Sequence, residues 1–160
     1  MTKKSLKTNQ KLVLSAIFMA TYIAVLFLSQ AISFGAYQMR LATAIYGLTY
    51  LYPFLALPLS LANALANSFG GLGIIDIIGG FFAGILTTGA ICLIKKLRLN
   101  VWMVALAIFL IPSFIAPLWL STLLQVPYWA LVINLLVGQS VPGIIAVLLV
   151  KALEKRGFHL

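Results

Sequence analysis

Between Leu12 and Met39, Leu41 and Ile75, Ile77 and Ile94, and Leu99 and Val150 the chain carries no formal charge. Runs of this length, apolar on every face and rich in Leu and Ala, cannot be solvated as the surface of a water-soluble domain. Of 160 residues 63% are hydrophobic and only 8% charged, where soluble domains are about half apolar and a quarter charged. The runs lack the alternation of a membrane β-barrel, so the expected class is an all-helical membrane bundle. The first run is also longer than the apolar region of a cleaved signal peptide, and more membrane sequence follows it.

The eleven cations and two acids give a net charge of +9. In a soluble protein that excess would point to nucleic acid. Here ten of the cations fall in three clusters, Lys3, Lys4, Lys7 and Lys11, then Lys95, Lys96 and Arg98, then Lys151, Lys155 and Arg156, each flanking an apolar run without interleaved aromatic residues. Nucleic acid is therefore not an expected partner, whereas membrane lipid is, and the positive-inside rule puts all three clusters and both termini on the cytoplasmic side of a plasma membrane.

Clusters that share a side must be separated by even numbers of crossings. The run from Leu99 to Val150 fits two, divided near Pro117 to Pro127, and the earlier interval fits four, broken by turn signals at Gly35, Pro53 and Asn67 to Gly71. Six transmembrane helices are expected, near 10–33, 41–52, 53–66, 74–95, 101–120 and 127–154, in one integral domain over 1–160 with short cytoplasmic tails at 1–9 and 155–160. The second and third are short, and read as a bent or re-entrant pair inside the bundle.

This count strands Arg40 and Asp76 at the outer side. Ionisable groups at membrane depth are expensive and mark polar sites, although Arg40 snorkelling to headgroups and Asp76 capping its helix are the plain alternatives. Tyr37, Gln38, Asn67, Ser68, Trp119, Gln125, Tyr128 and Trp129 fall on the same side. Aromatic faces stack planar ligands and amides read ring edges, so these residues are candidates for a small-molecule pocket; an interfacial aromatic belt is the alternative for Trp119, Tyr128 and Trp129. Asn63, Asn134 and Gln139 lie within spans, where each amide is either interhelical glue or a ligand contact.

Two stripes of small residues stand out. Ala16, Ala20 and Ala24 recur every four residues in the first helix and read as a docking groove for another helix or as ordinary packing, while Gly80, Gly84 and Thr88 read as internal. Catalytic parts are scarce: His159 is the only histidine, Cys92 the only cysteine, and no phosphate-binding loop occurs. The expectation is a binding protein without metal or cofactor, powered by a partner if it transports.

The blocks Tyr37 to Ile45, Tyr52-Pro53-Phe54, Ala62 to Asn67 and Asp76-Ile77-Ile78-Gly79-Gly80 resemble the QueT family. The resemblance covers about residues 10–150. It implies a six-helix substrate-binding (S) component of an energy-coupling factor transporter for queuosine precursors, which are 7-deazaguanine bases. It further implies that the Ala16, Ala20 and Ala24 stripe meets a transmembrane coupling subunit driven by two ATPase subunits, and that the S component topples to deliver its substrate. The family's block Arg-x-Ser-Glu-Ala-Leu is altered here, with Ala42 and Thr43 at the Ser and Glu positions. Thr43 offers a neutral hydroxyl where a carboxylate would suit an aminomethyl cation, leaving Asp76 to supply the charge or the substrate to be another base or vitamin. A non-transporting assembly subunit of a membrane complex is the competing reading from a different class.

Overall fold

The computed structural model describes residues 6–33 and 38–157, and the described residues include no strand. Helix α1 (Thr8–Leu28) ends at Ser29, whose hydroxyl donates to the Val25 carbonyl at 2.7 Å in competition with the backbone, and resumes as the short α2 (Gln30–Ser33). A tightly wound 3-10 segment, Leu41–Gly47, runs into α3 (Leu48–Leu51). Pro53 stops that helix and holds Tyr52 extended, and a 3-10 turn (Pro53–Leu55) leads into α4 (Ala56–Asn67). After a corner with Gly71 and Gly73 at positive φ come α5 (Ile74–Lys96), α6 (Trp102–Ile115), α7 (Pro117–Leu124) and α8 (Tyr128–Lys155).

Three of these helices, α1, α5 and α8, are long and apolar enough to cross a bilayer, and α6 with α7, bent by 41°, makes a fourth if the pair is one broken span rather than a re-entrant loop. Of the six transmembrane helices expected, three, or up to four, meet this criterion of length and composition among the described residues. The 12 residues of α4 rise only about 18 Å against a hydrocarbon thickness of about 30 Å, and Leu41–Leu51, mostly 3-10 helix, rises only about 20 Å. Residues 46–51 are all buried, so this short stretch packs inside the longer helices. The expected helix over 101–120 is likewise broken: Pro112 and Pro117 each remove a backbone donor, and the chain bends at Ala116 between α6 and α7.

Lipid supplies no hydrophobic force to press helices together, so close backbone approach and interhelical hydrogen bonds must hold the bundle. A methyl group added at Gly84 would come within 3.0 Å of the Ser60 Cα, one at Gly143 within 3.0 Å of the Ala105 carbonyl, and one at Gly47 within 3.0 Å of Ala146. Ser60 and Thr88 are in hydroxyl contact at 3.3 Å across the α4–α5 seam, so the Gly80, Gly84 and Thr88 stripe is internal as expected. The outer surface is apolar, with Leu12, Leu28, Leu118 and Ile133 more than half exposed.

Basic side chains gather at one end of the bundle. Lys11 lies 5.9 Å from the Phe54 ring, Lys151 4.6 Å from the Trp102 ring, and Lys95 4.3 Å from the Tyr50 ring and 3.5 Å from Glu154. These contacts tie the start of α1 to the Pro53–Leu55 turn, the start of α6 to the end of α8, and the end of α5 to α3 and the end of α8. At the opposite end Phe27 meets Phe69 edge-on, with centroids 5.8 Å apart. That second end holds the candidate site.

Candidate ligand site

The approach to the 3-10 segment sets the site's geometry. Gln38 adopts a positive φ of 36°, a region costly for a residue with a side chain, and its buried amide faces a cavity with Oε1 lacking a hydrogen-bond partner among the described residues. Arg40, two residues on, is 9% exposed and donates from Nη1 to Asn67 Oδ1 at 2.9 Å. It does not snorkel to the surface.

Asn67 closes α4, and its Nδ2 donates to the main-chain carbonyl of Asp76 at 2.9 Å. Asp76 stands in the first turn of α5, where the helix dipole favours a negative group, but makes no capping bond. It is fully buried: Oδ1 accepts from the Trp119 indole N–H at 2.9 Å, and Oδ2 has no hydrogen-bond partner among the described residues. Trp119 reaches it because Gly79, one turn along α5, leaves room for the ring.

A second layer lies deeper. The Thr43 hydroxyl is 2.7 Å from the Arg40 carbonyl and 2.8 Å from Gln139 Oε1 of α8. A single hydroxyl proton serves one acceptor, so both contacts are satisfied when Gln139 turns its NH₂ toward Thr43 and the hydroxyl donates to Arg40. Asn63 accepts from the Tyr22 hydroxyl at 3.0 Å and donates to the Gly80 carbonyl at 2.7 Å. Tyr22 stacks on Tyr46, with centroids 5.4 Å apart and planes 14° apart.

These layers enclose a cavity of about 20 Å³, room for about one water. Gln38, Arg40, Thr43, Trp119 and Gln139 line it together, and Asn67 and Asp76 stand directly behind Arg40 and Trp119. Tyr128 and Asn134 are not among the lining residues. Tyr128 instead donates to the Phe114 carbonyl at 2.9 Å and packs edge-on against Trp129, holding the α7–α8 turn, where Gln125 is exposed. Tyr37 lies outside the described residues. Asn63 is both glue and lining, and Tyr46 lines the cavity without having been singled out, because a tyrosine within an apolar stretch carries no local signal of what lies across the bundle.

Ala16, Ala20 and Ala24 are exposed on the face of α1 turned away from Tyr22 and Leu26, both fully buried. No group of three or more metal-binding side chains occurs among the described residues.

In comparison with protein families, the model described as QueT transporter matches residues 12–155. Comparisons with curated proteins and with solved structures give no match.

Proposed function

Because the chain belongs to the QueT transporter family, we propose that it is the substrate-capture component of an ATP-driven importer of the energy-coupling factor type, and that its substrate is a queuosine precursor, a 7-deazaguanine base. The observation that carries this reading is the hydrogen-bonded chain Arg40, Asn67, Asp76 and Trp119, whose Arg40 and Trp119 line a cavity at the end of the bundle remote from the basic side chains. With the basic end in the cytoplasm, that cavity belongs to the outer leaflet, where a nutrient arrives. Arg40 donors and the Gln38 carbonyl present both hydrogen-bonding polarities to the edge of a planar base.

In this reading the exposed Ala16, Ala20 and Ala24 stripe receives a transmembrane coupling subunit, and two ATPases supply the energy. The six helical segments act as an S-component bundle in which the short inner pair shapes the pocket. Thr43 favours a second reading of the substrate: with no carboxylate at that position, a neutral planar base is accommodated as readily as a cationic aminomethyl one.

Thermal unfolding of the purified protein with a panel of 7-deazaguanines, purines and vitamins tests the assignment. A ligand at one hundred times its Kd stabilises the folded state by about 2.7 kcal/mol. Stabilisation by the deazaguanines, lost in Arg40→Ala and Asp76→Ala, is expected. Stabilisation by another base alone moves the substrate, and none by any compound favours an assembly subunit.

A further inference from the structure

The cavity is too small for any heterocycle, and Trp119 is the largest side chain that lines it. Its indole lines the cavity on one side and bonds Asp76 on the other, so it stands between the cavity and the buried carboxyl. The ring rests on Gly79, where an added Cβ would meet Cε2, Cδ2 and Cζ2 at 2.5–2.7 Å. A tryptophan of an interfacial belt turns its N–H to the headgroups, whereas this one commits it to a fully buried acid whose second oxygen, Oδ2, has no hydrogen-bond partner among the described residues.

We infer that the Trp119 indole is an internal surrogate for the ligand: it fills a subsite made of the Asp76 carboxyl and the Gly79 floor, and an incoming planar ring bearing an N–H donor takes its place. This deepens, and rests on, the capture reading above. Binding exchanges one N–H···Oδ1 bond for another, and Oδ2 remains to take a second donor from the ligand. Pro117 and Leu120 of the same helix are buried, so α7 stays in place and the half-buried indole leaves by rotating about its own side-chain bonds. Until it leaves, the binding-competent state is a minor population, and apparent affinity is reduced by that fraction.

Two variants test this. Trp119→Gly vacates the subsite, and free indole is the probe. Saturable stabilisation by indole, with none by 1-methylindole or naphthalene, is expected of a seat that reads the N–H. Equal stabilisation by all three, or by none, overturns the subsite. Trp119→Phe keeps an aromatic ring but cannot bond Asp76, and it is expected to bind the precursor about tenfold more tightly than the unaltered chain; unchanged or weaker binding overturns the surrogate role. Failure of the capture reading is distinct, since it appears as no precursor binding to either chain while the indole experiment still reports on the subsite.

Discussion

Arg40 and Asn67 meet through a hydrogen bond of 2.9 Å, Nη1 to Oδ1, which ties the irregular approach to the 3-10 segment to the last residue of α4. The other end of the same amide holds the first turn of α5 through the Asp76 carbonyl. One side chain thus joins three pieces of backbone that no continuous helix connects.

Asn67→Ala removes both bonds and leaves a buried guanidinium group and a buried carbonyl without that partner. A loss of about 2 kcal/mol or more is expected, together with loss of ligand binding. Thermal unfolding in detergent measures the first and titration the second; a variant as stable as the parent would show that water replaces the amide at no cost.

Two glycines of α5 should respond oppositely to alanine. At Gly80 a Cβ runs into the Asn67 amide and lies 3.5 Å from that of Asn63, so Gly80→Ala should destabilise by about 1–3 kcal/mol and disturb the cavity. At Gly89 nothing lies within 4 Å, and alanine should stabilise the helix by about 0.5–1 kcal/mol. Unfolding midpoints of the pair check the sign of each.

Thr43→Glu introduces the carboxylate that the family resemblance implies at this position. If position 43 faces the substrate, this variant should favour an aminomethyl base over its neutral counterpart by about tenfold, the scale of one charge-assisted hydrogen bond. Calorimetric titration of both ligands decides it, with an unaltered ratio removing Thr43 from the contact surface.

Ala20→Trp places a bulky ring on the exposed face of α1, opposite the buried Tyr22. The expected outcome is failure to co-purify with a coupling subunit while ligand binding persists. A complex that survives would move the docking surface elsewhere.

Sidedness follows from the two ends of the bundle. In a Cys92→Ser background, Ser68→Cys should react with a membrane-impermeant maleimide on intact cells, and Asn100→Cys only after lysis; both positions are exposed. The reverse pattern would put the cavity in the inner leaflet and remove its role in capture.

The helical class was legible because charge-free runs leave the backbone no solvent but itself. Boundaries at 74 and near 95, 127 and 155 were legible as well, marked by Gly73, the Lys95 cluster, Pro127 and the Lys155 cluster. Asp76 and Arg40 stood out by being charged where charge is costly. Tyr22, Tyr46 and the double role of Asn63 did not, since an aromatic ring or amide in an apolar stretch has the same local pattern whether it faces lipid, a neighbouring helix or a cavity. Tyr128 shares that local pattern, and here its hydroxyl donates to the Phe114 carbonyl.

Sequence by itself determined that this chain lives in a membrane, which groups are charged, and that the basic ones flank the apolar runs, because transfer of charge into hydrocarbon is costly wherever the chain goes. Only the tertiary structure decided that Asn67 links Arg40 to the Asp76 backbone, that Trp119 covers the acid, and that the short stretch at 46–51 is buried among the longer helices. Those outcomes depend on which glycine lets which helix approach, and that is a property of facing surfaces rather than of neighbours along the chain.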